Sequence, residues 1–302
     1  MTINEPNWDL YRSFLAVLRE GSLSGAARAL GLTQPTLGRH IDALEQALNL
    51  SLFTRSQAGF IPTEAAHALR AHAETLASTS SALLRAASGL GRGGDAQIAG
   101  TVRVTASEVV SVEVLPPIVA RLRASHPGIT VELAVSNRIE NLLRRDADIA
   151  VRMQRPEQDV LVARRIGNID LGFHARRDYL ERHGTPRTWQ ELGAHTLIGV
   201  DSETAFTRKL APLLGAVPAS AYAVRSDSDL VHLASIRAGL GIGICQNRIA
   251  ERDPQLVRVM PEMLSIPLDT WLAMHEDLRS NPACATAYAA LAEGLSAYIN
   301  GH

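Results

Sequence analysis

Three side chains in the run TQPTLGRH (residues 33–40) have types and spacing suited to reading a nucleic acid: Gln34, Thr36 and Arg39. A glutamine can pair with an adenine edge, and an arginine with guanine or phosphate, when a helix offers its first turns to a major groove. At about 100° per residue, Leu37, Ile41, Leu44 and Leu48 fall on one side of such a helix, and Pro35, Arg39, Asp42 and Gln46 on the other. One face suits a core; the opposite face suits a partner.

The flanking residues supply the elements that must hold this helix in place. Gly21 to His40, GSLSGAARALGLTQPTLGRH, reads as two short helices joined by a tight turn. The first runs from about Ser24 to Leu30, with Ala26, Ala27 and Leu30 on one small apolar face. Gly31 has the backbone freedom to end it, and Thr33 can cap the next helix. Pro35 then stands in a first turn, where no helical N–H is lost. This is a helix-turn-helix pattern, with Thr33, Gln34, Pro35, Thr36 and Arg39 as candidate DNA contacts. An ordinary helical hairpin with a solvated face would carry the same periodicity.

The next segment favours the first alternative. Asn49 can take a left-handed cap, Leu52 and Phe53 return to the core, and Arg55 precedes the turn-prone Ser56-Gln57-Ala58-Gly59 before Phe60-Ile61-Pro62-Thr63. That pattern predicts a wing-like hairpin with a phosphate-reaching arginine. From Trp8 to Thr63, through LAVLREGSLSGAARALGLTQPTLGRHIDALEQALNLSLFTR, the chain resembles the N-terminal winged helix-turn-helix of the LysR-type transcriptional regulators. The resemblance implies that Gln34, Pro35, Thr36 and Arg39 lie on a recognition helix and that Arg55 meets backbone phosphate. Two departures stand out: Gly38 replaces the serine common in that family, and Gln57 and Ala58 stand where its wing often carries an arginine. Residues 1 to 63 also balance five arginines (12, 19, 28, 39 and 55) against Glu5, Asp9, Glu20, Asp42 and Glu45. Binding to non-specific DNA should then be weak, because counterion release supplies most of that affinity.

Composition limits the remaining classes. The 302 residues suggest two or three domains, and a net charge of -1 with 46% hydrophobic residues fits a globular chain. The polar, acidic start MTINEPNWDL does not read as a signal peptide, and no run of 18 apolar residues occurs, so a cytoplasmic protein without membrane association is expected. Cys245 and Cys284 are the only cysteines, too few for a disulfide scaffold or a cysteine zinc site. No basic cluster flanks either one to lower a thiol pKa, so inert thiols are expected rather than a redox pair.

Thr63 can cap a long alanine-rich helix over residues 64–90. Leu69, Leu76, Leu83 and Leu90 recur every seven residues along it, a seam that implies a partner helix and hence a homodimer. The resemblance assigns a linker helix the same role and extends the expectation to a tetramer. Gly89, Gly91, Gly93, Gly94 and Gly100 mark a hinge at about 91–100. Beyond it, Thr101–Thr105, Ile129–Val135 and Asp148–Arg152 read as strands alternating with helices over Val109–Ser125 and Arg138–Arg145, a βαβαβ order that argues for a parallel sheet. The pattern restarts after about Ile166, with strands at Leu171–His174, Leu197–Val200, Ala221–Arg225, Leu240–Cys245 and Leu268–His275. Helices are expected at Asp227–Ala238, capped by Ser226 or Asp227, and at Pro282–Asn300.

The expected fold is therefore α/β with an N-terminal all-α winged helix-turn-helix. Its C-terminal part, through VRVTASE, HPGITVEL, DADIAVR and AGLGIGI, resembles the two-lobed periplasmic-binding-protein-like effector domain of LysR-type regulators. The boundaries read as 1–63, 64–90, 91–100 and 101–302, with one lobe over about 101–166 and 276–302 and the other over about 167–275. Ligands of such sheets gather at the carboxyl ends of parallel strands, beside helix N-termini. Thr105, Ser107, Ser136, Asn137, Asp201, Ser202, Ser226 and Asp227 are thus the candidate contacts for a small-molecule effector, although each could equally serve as a helix cap or surface turn. Glu108 would repel an anion there or select a donor.

No GxGxxG, GxSxG, HExxH or P-loop pattern occurs, and the histidines share no metal motif. No cofactor, metal or catalytic residue is expected. The reading is a DNA-binding transcriptional regulator switched by an effector. A solute-binding protein or a small-molecule enzyme built on the same lobes are the alternatives.

Overall fold

The computed structural model describes residues 5–56, 59–90, 98–136, 147–156, 161–202, 208 and 219–301. These divide into two compact units, residues 5–84 and 85–301.

The first unit opens with α1 (Trp8–Glu20), α2 (Leu23–Leu30) and α3 (Gln34–Leu48). Each start has a side-chain cap: Asn7 accepts from the Asp9 N–H, Ser22 from Gly25 and Thr33 from Thr36. Each end turns through a left-handed residue, at Gly21, Gly31 and Asn49. A hairpin of β1 (Phe53–Ser56) and β2 (Gly59–Pro62) follows, and then α4 (Glu64–Leu90) begins. Leu37, Ile41 and Leu44 of α3 pack with Phe14, Val17, Ala26 and Leu52 in one core, closed by a tilted contact of the Phe14 and Phe53 rings. The helix Ser24–Leu30 begins one residue earlier than its periodicity suggests, because Ser22 is the cap.

The second unit is built on one sheet in the order β10-β6-β11-β5-β3-β4, with β9 also pairing β6. Its strands are β3 (Gly100–Ala106), β4 (Ile129–Val135), β5 (Ile149–Arg152), β6 (Leu161–Arg176), β9 (Gly243–Gln246), β10 (Leu256–Val259) and β11 (Ile266–His275). A separate parallel pair joins β7 (Leu197–Gly199) to β8 (Tyr222–Arg225). The helices are α5 (Leu115–Ser125), α6 (Arg177–His183), α7 (Trp189–Leu192), α8 (Asp229–Arg237), α9 (Asn247–Ala250) and α10 (Pro282–Asn300).

β3 runs parallel to β4 and β5, as a βαβ order requires. The long antiparallel strands β6 and β11 carry the sheet from this first lobe into a second one, made by β7 to β10 with α6 to α9. Their register shifts at Thr270/Trp271, which leaves Ile166 as an extra residue on β6. A bulge of this kind bends the strand, and it falls where the chain passes between lobes.

Several boundaries differ from the sequence expectation. The segment read as Leu171–His174 is the end of the 16-residue β6, whose exposed and polar first half hides the strand period. The run Leu240–Cys245 is not one strand: Gly239 has φ +75° and Leu240 turns back to the Ser235 carbonyl. Ile242 instead pairs with β7, and β9 starts at Gly243. The helix expected from Asp227 starts at Asp229 with Ser228 as its cap residue, because Asp227 is drawn to the neighbouring loop. The helix expected over Val109–Ser125 contains a π-turn at Val110–Val114 before α5. Arg138–Arg145, the hinge residues 91–97, and the Gln57-Ala58 turn lie outside the described residues.

Candidate nucleic-acid interface and strand-end site

Helix α3 exposes Thr33, Gln34, Pro35 and Arg39, along with Asp42 and Gln46, while Leu37, Ile41 and Leu44 are buried. The Thr36 hydroxyl lies 2.8 Å from that of Thr33, closing the first turn, and Arg39 Nε reaches the Pro35 carbonyl at 3.4 Å. Arg39 therefore lies along the outer face next to Pro35. The backbone of Arg55 pairs with Phe60 in the hairpin; its side chain lies outside the described atoms.

Two contacts that fix this surface were not legible in the sequence. Ser13, only 1% exposed, sets its hydroxyl 2.8 Å from His40 Nδ1 and so ties α1 to the residue beside Arg39. Glu45 turns its carboxylate to the Leu52 and Phe53 N–H groups at 2.6 and 3.1 Å, joining α3 to the hairpin. One of the five acidic residues that balance the arginines is thus spent on backbone inside the fold rather than on the outer face.

Along α4, Leu69 packs against the core of the first unit, whereas Leu76 and Leu83 are 48% and 70% exposed, as is Leu84 at 69%. The side chain of Leu90 is outside the described atoms.

In the second unit, the described candidate effector contacts fall into two sets, one on each lobe. Thr105 is fully buried at the end of β3, where its hydroxyl and carbonyl accept from Arg152 at 3.2 and 3.3 Å. Burial lowers the Arg152 pKa. Ser107 follows, half-buried, and its carbonyl accepts from Ser111 in the first helical turn. Ser136 stands beside it, its N–H bonded to the Ala106 carbonyl. Asn137 lies outside the described residues.

On the second lobe, the Asp227 carboxylate accepts from Asp201 N–H at 3.2 Å, from Ser202 N–H at 2.7 Å and from the Ser202 hydroxyl at 2.6 Å. The Ser202 hydroxyl, then the Ser202 and Asp201 N–H groups, hold its pKa below the usual carboxylate value. Ser226 accepts from the Ser228 N–H, and the buried His232 donates from Nε2 to the Ser226 carbonyl at 2.7 Å, since a carbonyl only accepts. These two sets meet: the Ser228 hydroxyl donates to Glu108 at 2.6 Å, so the loop after β3 and the loop after β8 face each other across the lobes. The sequence reading has Glu108 repel an anion or select a donor; its donor in the structure is Ser228, a partner 120 positions away that no local pattern indicates.

A second contact across the lobes also escaped notice. Arg237 of α8 holds Glu113 through two bonds, at 2.6 and 3.0 Å, and Arg252 donates to the Glu113 carbonyl at 3.2 Å. Arg237's hydrogen bonds lower the Glu113 pKa.

The histidines and cysteines have structural surroundings. His174 is 2% exposed and donates from Nδ1 to the Gly172 carbonyl, with Cys245 Sγ at 3.4 Å. Burial pushes its pKa down to about 4 and pushes both thiols, Cys245 and Cys284, up to about 12. Among the described residues no group of His, Cys, Asp and Glu could hold a metal ion, and no helix is long and apolar enough to cross a membrane.

Residues 8–67 match the family described as bacterial regulatory helix-turn-helix protein, lysR family, and residues 95–296 match the LysR substrate binding domain. An HTH-type transcriptional regulator of Xanthomonas campestris is 28% identical over 187 residues, 62% of this chain and 53% of that protein. PgrR of Escherichia coli, also an HTH-type transcriptional regulator, is 27% identical over 65% of this chain and 64% of its own length. The chain thus aligns with about half to two thirds of the length of these two relatives. Probable regulator LtrA of Klebsiella pneumoniae is 26% identical over 86% of this chain and 85% of its own. Among solved structures, the regulator CbnR has a TM-score of 0.70 at 20% identity, covering 95% of this chain and 99% of that one. CrgA of Neisseria meningitidis gives 0.56 at 20% identity, covering 96% and 99%. At such identities the structural likeness shows a shared fold.

Proposed function

This chain belongs to the LysR family of transcriptional regulators, and from that membership we propose that it binds double-stranded operator DNA and regulates transcription in response to a small-molecule effector. The observation that carries the reading is α3, whose buried Leu37, Ile41 and Leu44 leave Gln34, Pro35 and Arg39 exposed on its first two turns. An exposed polar helix start of this kind suits a major groove. CbnR, of similar fold, has been solved with its target DNA. In this reading Thr33, Gln34, Pro35, Thr36 and Arg39 contact the operator, and Arg55 meets phosphate from the hairpin.

The effector site in this proposal lies where the strand ends of the two lobes meet, around Thr105, Ser107, Ser136, Asn137, Asp201, Ser202, Ser226 and Asp227. The 2.6 Å bond from Ser228 to Glu108 supports it by bringing the two loop sets side by side. The exposed leucines of α4 support self-association to a dimer, and two dimers would give a tetramer. The protein works in this account as a non-catalytic, cytoplasmic regulator in four segments: residues 1–63 for DNA, 64–90 for dimerisation, 91–100 as hinge and 101–302 for the effector. An effector can act only by favouring one arrangement of the lobes over another.

Genome-wide mapping of the DNA bound by the full chain tests the reading. Discrete sites, with occupancy that changes under particular growth conditions, are expected; uniform or absent binding would refute it. Ser107→Ala and Ser136→Ala should leave those sites occupied and blunt the response, each by about ten- to hundred-fold in effector affinity if a charged ligand group loses one hydrogen bond.

A further inference from the structure

The short segment from Glu108 through the π-turn Val110–Val114 carries every contact described above between Glu108 or Glu113 and the second lobe. The turn's widened geometry has a sequence cause. Residues Leu115-Pro116-Pro117 put two prolines where a helix would need N–H donors, and the Leu115 N–H closes back to the Val110 carbonyl, five residues earlier. In a regular α-helix residues five apart point about 140° apart, and a π-turn between them, with its smaller rotation per residue, narrows that angle. Glu108 and Glu113 are five apart, and both reach the second lobe.

The same prolines leave a carbonyl to share. The α-helical donor to the Glu113 carbonyl would be residue 117, a proline without N–H. Arg252 donates to that carbonyl from the second lobe at 3.2 Å, while its guanidinium lies 4.8 Å from the centre of the Tyr298 ring on α10. The Glu113 carboxylate takes both terminal nitrogens of Arg237, and the Glu108 carboxylate takes the Ser228 hydroxyl. One short segment thus offers three acceptors to three donors on the opposite lobe. Val112, between them, is 49% exposed, whereas Val110 and Val114 are buried in the same apolar core as Leu233 and Ile236 of α8, so these polar contacts act beside apolar packing.

We propose that this π-turn is an inter-lobe latch: Glu113 held by Arg237 and Arg252, and Glu108 just before the turn held by Ser228, fix the angle between the lobes. Switching then requires that the Glu108–Ser228 bond give way to the occupant of the strand-end site. This second step rests on the effector-site reading above; the latch itself does not.

Hydrogen exchange of the full-length protein tests it, using Glu113→Arg, Arg237→Glu and the double variant with the charges exchanged. Each single change should speed exchange in residues 110–118 and 229–237 about ten-fold or more, since charge-assisted hydrogen bonds are the stronger kind. The double variant should recover most of the protection, and α10 should exchange as before. Ser228→Ala, a small change that leaves the charge pair alone, should give a weaker increase in the same two segments. Single variants indistinguishable from the unaltered protein, a double variant no better than the singles, or acceleration spread over the whole unit would each overturn the latch. On DNA that the full chain binds, latch variants should alter the footprint without added small molecules; an unchanged footprint despite faster exchange would overturn the switching step. Failure of the unaltered protein to bind DNA would remove the regulatory reading instead, and the exchange result would stand apart from it.

Discussion

Arg85 on α4 and Asp148 before β5 form a two-bond ion pair, at 2.9 and 3.1 Å, with side chains only 11% and 3% exposed. Asp148 also accepts from the Arg103 N–H at 2.8 Å. The pair fastens the last turns of the long helix to the sheet of the second unit, which includes residue 85. Removing one partner of a buried pair leaves the other charge without its counter-ion. Arg85→Ala should therefore destabilise the protein by about 3 to 5 kcal/mol, with Asp148→Asn comparable. Urea melts of the full chain check this, and a loss below about 1 kcal/mol would mean that water already satisfies the pair.

Gly38 lies on α3 beside the exposed recognition face, and a Cβ added there would find its nearest neighbour, Leu23 Cδ1, at 3.9 Å. That is ordinary contact distance, so a serine fits without displacement. Gly38→Ser should raise helix stability by roughly 0.5 kcal/mol and, by supplying a hydroxyl near the groove, tighten operator binding. Thermal melts and DNA titrations check the two effects separately; a destabilised variant would show that the site is more crowded than its geometry indicates.

Leu76 and Leu83, 48% and 70% exposed along α4, have the spacing of a helix–helix seam. Leu76→Asp should dissociate dimers, because a carboxylate in such a seam must be buried without a partner. Light scattering measures the outcome. An unchanged oligomer from a stable variant would place the association surface elsewhere.

His174 is buried and neutral, its pKa lowered from 6.5 to about 4 by desolvation. A histidine whose folded pKa lies below its unfolded value gives stability that is present above the unfolded value and is lost as the pH falls. Between pH 6.5 and about 4 the protein should lose about 3 kcal/mol through this group. His174→Gln should flatten that part of the stability profile. An equal slope in both proteins would assign the acid sensitivity to other groups.

Locally coded features were the ones legible in the sequence. Thr33 and Asn49 bound α3 as read, and α10 runs over Pro282–Asn300 as expected, because caps, prolines and left-handed residues act on their own neighbours. The first parallel strands were legible from β-branched runs such as Ile129–Val135. Contacts between distant positions were not. Ser13 with His40, Glu45 with the hairpin backbone, and Glu113 with Arg237 join segments whose local patterns say nothing of one another. The start of α8 was misplaced for the same reason: Asp227 looks like a cap until Ser202, 25 positions away, claims its carboxylate. In the π-turn, Leu115-Pro116-Pro117 was a visible signal whose consequence depended on the lobe it faces.

Selection from a random double-stranded DNA pool with the purified chain tests the central claim most directly. The account predicts enrichment of paired half-sites spaced by multiples of about 10.5 base pairs. Arg39→Ala should lose discrimination at particular bases, by about 1 to 3 kcal/mol, while Arg55→Ala should keep the motif, bind more weakly throughout and lower the salt slope by about 1. A pool that shows no enrichment over the input, or the same motif and affinity in both variants, would contradict it.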